Sequence, residues 1–327
     1  MPRAALASLF VGFLFLGCAV GEQNQTLADV LKQSSVPFPP SSVPHLNAPI
    51  TSYATLNNEQ EFLIAYYLVA PRNELRFPLF LTRFDKQAGK WQHASLTDLK
   101  VKILQGAEHE TQDDCIGSVL SIEGNSKWYY LTLHWNPSAG CLVILQHDLT
   151  VSQTLTGGTA AFFKSGMLVY SGNMVHFASV HPETLHLYDP VTRKSQQLYP
   201  QKNDPFRDAF STRLEKVIDR KRCAENNWSC EPDDFTTDTK YPIEVNDETN
   251  ALAFRIDFET EGILTREEAE SSGKWDDDHY VYVYQLNPLR WREFSIYDLK
   301  PKFGTDSLQE LLTPEKLRHV FSTPPRQ

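Results

Sequence analysis

The chain has 327 residues and a formal net charge of −10, with 41% hydrophobic and 12% aromatic residues. That is enough apolar material for one large domain or two smaller ones. The acidic balance, with no Lys/Arg run that stands out, argues against nucleic acid as a partner, because phosphate neutralisation needs clustered positive charge.

The first element is an export signal. Arg3 precedes an unbroken run of small and apolar residues from Ala4 to Gly17, and polar sequence starts at Gly21. Residues 1–18 read as a signal segment, too short for a comfortable membrane span. Phe15-Leu16-Gly17-Cys18 resembles a bacterial lipobox, which implies lipidation of Cys18 after cleavage, although Phe stands where Leu is usual. Ordinary cleavage near Gly17-Cys18-Ala19 or Ala19-Val20-Gly21 is a second route, and a retained signal anchor a third. The expected location is a membrane-anchored lipoprotein, or the periplasm or extracellular space. Contact with membrane is expected only through a lipid on Cys18.

Five cysteines occur: Cys18, Cys115, Cys141, Cys223 and Cys230. An odd count in an exported chain leaves one thiol to explain, and loss or lipidation of Cys18 leaves an even set. Cys223 and Cys230 enclose six residues and are expected to pair. Pairing of Cys115 with Cys141 stays open against two buried free thiols. No C-x-x-C occurs, so no zinc site is signalled. Residues 19–46 read as a linker, because the stretch from 33 to 48 is rich in Pro and Ser.

From residue 47 to 299 the pattern is of short strands. Four apolar strands run into turns at Asp85, Asp148, Asp189 and Asn287, each followed by a second short strand. Asp and Asn suit those turns because the side chain can bond the backbone two residues on. Each hairpin is preceded by an aromatic and β-branched strand, at 62–69, 128–135, 174–180 and 251–258. Before that comes another short strand, such as 118–123 or 166–170. Four antiparallel strands in about 40–45 residues resemble a β-propeller blade. The resemblance implies an all-β, propeller-like fold with four recognisable blades. A fifth could lie in 99–117 or be completed by the termini. It carries no function, since no kelch or WD40 motif accompanies it. A β-sandwich is the alternative.

Two insertions break the rhythm, at 200–239 and 259–278. Phe206, Phe210, Leu214 and Val217 or Ile218 fall at helical spacing in the first. The tail, 300–327, is expected to be helical as well.

No motif assigns a catalytic residue. Ser271-Ser-Gly-Lys274 matches S-x-x-K, but Gly273 breaks the helix that motif needs. Trp275-Asp276-Asp277-Asp278-His279 is the densest polar cluster. No cofactor is predicted; calcium is the one candidate, and the run lacks the spacer residues of calcium loops. His134, His176 and His186 fall in expected strands, where a structural role is ordinary. Asn24 and Asn227 are glycosylation acceptors only in a eukaryotic source.

In a four-strand meander the first and third turns share one face, and the long connections share the other. The insertion-bearing face is therefore the expected contact surface for a protein or glycan. Its expected contacts are Trp228, Trp275, Asp276, Asp277, Asp278 and His279. The expected function is an exported, membrane-tethered, non-enzymatic binding or scaffold module. The alternative is a secreted carbohydrate-active enzyme, which would need carboxylates from different blades to converge.

Overall fold

The computed structural model describes residues 25–37, 43–69, 78–105, 109–115, 117–136, 139–157, 160–171, 184–201, 236–259 and 278–322, with 208 and 212. Four antiparallel meanders of four strands dominate. The first contains β1 (Ile50–Asn57), β2 (Glu61–Leu68), β3 (Leu79–Asp85) and β4 (Lys90–Leu96). The second contains β7 (Ser118–Gly124), β8 (Tyr129–Asn136), β9 (Ala139–Leu145) and β10 (Val151–Thr156). The third contains β11 (Ala160–Phe162), β12 (Leu168–Ser171), β13 (Leu185–Asp189) and β14 (Lys194–Tyr199). The fourth contains β15 (Thr236–Asn246), β16 (Ala251–Glu259), β17 (Asp278–Leu286) and β18 (Leu289–Ser295). The helices are α1 (Leu27–Gln33), α2 (Ile296–Phe303), α3 (Leu308–Leu311) and α4 (Pro314–Ser322). The fold is all-β and propeller-like.

The turn residues act as their chemistry dictates. The Asp85 Oδ1 accepts from the backbone N–H of Gln87 and Ala88 at 3.0 and 2.8 Å. Asp148 accepts from Thr150, and Asp189 from Val191, in the same way. Hydrogen bonds from the Ala88 and Gln87 amides hold the Asp85 carboxyl below its usual range. The first turns of three blades use Asn instead: Asn58, Asn125 and Asn246 each accept from a downstream amide.

The sheets stack in series. Alternate residues of β2 point to opposite faces, and both faces are buried. Leu63, Ala65 and Tyr67 meet the second blade through Leu131, Leu133 and Val143. The second blade's other face, with Tyr130, Leu142 and Ile144, meets Leu168 and Tyr188 of the third. The third meets the fourth through Leu185, Leu187 and Tyr199 against Phe254, Tyr282 and Tyr284. The β1 strand lies alongside β7, and β11 alongside β15, so the first strand of each blade is the inner one.

Both ends of the series are covered by helices. The outer face of blade 1 (Phe62, Ile64, Tyr66) packs on Leu27, Val30 and Leu31 of α1. The outer face of blade 4 (Ala251, Ala253, Val281, Val283) packs on Leu299, Leu311, Leu317 and Val320 of α2, α3 and α4. Among the described residues no hydrophobic cluster joins blade 1 to blade 4.

Four expectations need correction. A sandwich buries one interface between two sheets, whereas three sheet interfaces form here. The 99–117 segment holds a two-stranded hairpin, β5 (Lys100–Gln105) with β6 (His109–Asp114), not a fifth blade. In the third blade β12 pairs with both β11 and β13 and so takes the second place. The sequence rhythm puts 166–170 in first place and 174–180 in second; 174–180 lies outside the described residues. Finally, part of the expected linker is folded. Thr26 caps α1 by accepting from the Asp29 amide at 3.3 Å, and the Asp29 carboxylate accepts from the Thr26 amide at 3.0 Å.

Cys115, just before β7, and Cys141 on β9 are joined in a disulfide, with Cα atoms 5.8 Å apart. This answers the open pairing. Cys18, Cys223 and Cys230 lie outside the described residues. Among the described residues no helix is long and apolar enough to cross a membrane.

Candidate functional site

Three inner strands end around one cleft. The β7 and β15 strands each finish with the same four-residue pattern, Ile122-Glu123-Gly124-Asn125 and Ile243-Glu244-Val245-Asn246. In both, the Ile is buried, the Glu follows it on the opposite side of the strand, and the Asn opens the turn. Alternation thus delivers one carboxylate per blade to the strand end.

Hydrogen bonds between blades hold the turns together. The Asn125 Nδ2 donates to the Tyr130 hydroxyl at 3.0 Å and to the Phe163 carbonyl at 3.3 Å. The Lys127 Nζ donates to the Ser165 carbonyl at 2.7 Å. The bonds to Phe163 and Ser165 tie the second blade to the third, and the bond to Tyr130 braces the turn within the second. The Lys164 amide donates to the Asp247 Oδ1 at 2.6 Å, tying the third to the fourth. The 163–167 turn closes with Gly166 at φ +97°, a conformation few L-residues tolerate. A Cβ there would also meet the Trp128 side chain at 3.3 Å.

The cleft has a volume of about 430 Å³ and is lined by residues of blades 2, 3 and 4. Its charged groups are Glu123, Lys164, Glu244 and Asp247, with Asn125 as a neutral polar one; Ala161, Phe162 and Val245 supply apolar wall. Three carboxylates thus face one ammonium. Among the described residues neither Glu123 nor Glu244 has a side-chain hydrogen-bond or ion-pair partner. Glu123 is open to water, yet protein surrounds it on several sides, and this desolvation raises its carboxyl above the usual glutamate range. Phe162 stacks on Tyr130 with centroids 3.8 Å apart, which occupies one of its ring faces.

The cleft lies on the face of the short first turns. The strand ends that bound residues 260–277, Glu259 and Asp278, lie at the opposite end of blade 4, and most of the expected contacts (Trp228, Trp275, Asp276 and Asp277) lie outside the described residues. Asp278 is the first residue of β17, described by its backbone alone. His279 follows it and belongs to a compact polar group. Asp257, 2% exposed, accepts from the Arg255 Nε and Nη2 at 2.6 and 2.8 Å. The His279 Nδ1 lies 2.9 Å from the same carboxylate. Register explains the meeting: Asp257 pairs directly with His279, and Arg255 is two residues back on the same face. This arrangement neutralises a buried carboxylate where the helical cover of blade 4 ends. Among the described residues no group of three or more His, Cys, Asp or Glu side chains is placed to hold a metal ion.

The chain matches no protein-family model, and it matches no curated protein. It is similar to the crystal structure of a thermostable family-43 glycoside hydrolase, at 7% identity. The match covers 75% of this chain and 72% of that one, with a TM-score of 0.27. A superposition that loose carries no argument about function.

Proposed function

We propose that this is an exported, membrane-tethered binding module, non-enzymatic, with the cleft between blades 2, 3 and 4 as its binding site. One observation carries the choice of binding over catalysis. The Glu123 and Glu244 carboxylates have no partner to orient them among the described residues, whereas catalytic carboxylates are held in place by surrounding donors. Unpartnered charged groups around an apolar wall suit recognition, where the ligand supplies the partners. Export and tethering rest on the sequence from Arg3 to Cys18.

A second reading has one specific observation in its favour. Carboxylates of blades 2 and 4 line the same cleft, and the raised Glu123 carboxyl has the character of a general acid. Assay of the purified protein against a panel of aryl glycosides separates the two. Hydrolysis that disappears in Glu123→Gln and in Glu244→Gln would overturn the binding reading. No turnover, with saturable ligand binding that those variants weaken, is the expected result. Tethering is tested by expressing the full chain with labelled fatty acid: label is expected on wild type and not on Cys18→Ser.

The insertion-bearing face is proposed as a second contact surface, with Trp228, Trp275, Asp276, Asp277, Asp278 and His279 as its contacts. Replacing residues 259–278 by a short Gly-containing turn should leave folding intact and remove binding of a protein or glycan at that face.

A further inference from the structure

We propose that the cleft takes a basic side chain of a peptide, an ammonium or guanidinium on an aliphatic stem. This rests on the reading of the cleft as a binding site and names its ligand class.

The argument starts from unsatisfied chemistry. Glu123 and Glu244 come from blades on either side of the third, and neither carboxylate has a protein partner among the described residues. The Asp247 carboxylate is only partly used, accepting from the Lys164 amide. With the Lys164 ammonium counted, the rim carries two net negative charges at neutral pH. It sits on a chain of net charge −10. An anionic ligand would meet repulsion at both scales.

Charge favours a cation over a neutral sugar, because a neutral ligand would leave the two net negative charges of the rim uncompensated. The Asn125 amide is already committed to the Tyr130 hydroxyl and the Phe163 carbonyl, and Phe162 has one ring face taken by Tyr130. Apolar surface from Ala161, Phe162 and Val245 leads to the carboxylates at the rim. A lysine or arginine stem covers such surface while its charged end reaches the acids. A volume of about 430 Å³ accommodates one such side chain with its flanking backbone. Glu123 adds a supporting detail: desolvation raises its carboxyl, and an incoming cation would relieve that penalty.

The test is a titration of the ¹⁵N-labelled protein with four probes: acetyl-Gly-Lys-Gly-amide, the same peptide with norleucine for lysine, spermidine, and cellotriose. The amides of Lys164 and Asp247 report on the cleft directly. The lysine peptide should shift both amides saturably, and at least tenfold more weakly in Glu123→Gln/Glu244→Gln. The unfolding midpoint of that variant shows whether it is folded. The norleucine peptide should bind at least tenfold more weakly than the lysine peptide. Equal binding of the two peptides would overturn the cation class. Cleft shifts with cellotriose alone would also overturn it, yet leave the cleft standing as a binding site. Shifts with spermidine and not with the lysine peptide would overturn the peptide source. Unmoved cleft amides with all four probes would overturn both the ligand class and the binding role of the cleft.

Discussion

The Tyr129 hydroxyl on β8 donates to the Glu61 carboxylate on β2, so a buried hydrogen bond crosses from the second blade to the first. The Arg83 Nε lies 2.6 Å from the same carboxylate oxygen. Burial, and donation to a charged acceptor, push the Tyr129 hydroxyl well above the ordinary tyrosine range. His147 packs at a tilt against the Tyr129 ring, with centroids 4.5 Å apart, and bonds the Asn125 carbonyl, which extends this network to the edge of the cleft.

Truncating Glu61 leaves the Tyr129 hydroxyl without its acceptor and Arg83 with only Asp85, 3.8 Å away, as a counter-charge. Glu61→Ala should cost about 3 kcal/mol in chemical denaturation, the low end for breaking a buried ion pair. Tyr129→Phe should cost less, about 1–3 kcal/mol, since Arg83 still satisfies the carboxylate. The two losses should fail to add, with a coupling of about 0.5–3 kcal/mol in a double-mutant cycle. Strict additivity would mean the hydrogen bond does not form in solution.

The disulfide is expected to matter for stability. Its half-cystines are 26 residues apart, so loop entropy predicts a loss of about 3.5 kcal/mol on reduction or in Cys115→Ser. Comparing denaturation midpoints with and without reductant measures this directly. Identical midpoints would show that the thiols are unpaired in solution.

The C-terminal helices are predicted to be structural. Leu317 on α4 is 4% exposed against the outer face of blade 4. Leu317→Ala should cost about 2–5 kcal/mol. Removing residues 314–327 should expose apolar sheet and drive association, seen as a larger species in light scattering. A monodisperse truncated chain of unchanged stability would contradict the packing.

Glu123 should behave oppositely to the turn aspartates as pH changes. Its folded carboxyl lies above its unfolded value, so it binds more protons when folded. Stability should therefore fall as pH rises from the unfolded value through the folded one. At neutral pH Glu123→Gln should be neutral or stabilising, by no more than about 0.5 kcal/mol at so exposed a site. Ligand binding should move the other way: a cation prefers the ionised carboxylate, so affinity should drop as pH falls through the Glu123 titration. An affinity indifferent to pH across that range would exclude Glu123 from the contact.

The blade rhythm was legible because β-strands alternate and their turns carry distinctive chemistry. Asp85, Asp148 and Asp189 mark hairpins that form where expected. In the third blade the second place goes to Leu168–Ser171, which has only four residues. Alternation alone does not say which of two neighbouring β-prone segments takes a given place in the sheet. Helix α1 was hidden by the Pro- and Ser-rich residues after it, although Thr26 and Asp29 three apart, with Leu27, Val30 and Leu31, spell a capped helix. Of the cleft, half could have been read from the repeated Ile-Glu-x-Asn. Lys164 and Phe162 belong to no such pattern, since the third blade reads Ala161-Phe162-Phe163-Lys164. They join the cleft only through the way adjacent sheets lean together.

The helical covers over blades 1 and 4 set what a protease could remove. Neither α1 nor α2 to α4 contributes a strand, so cutting away a cover would leave every sheet ladder paired while uncovering one apolar face. Such a loss would show as a more adhesive surface and not as missing strands.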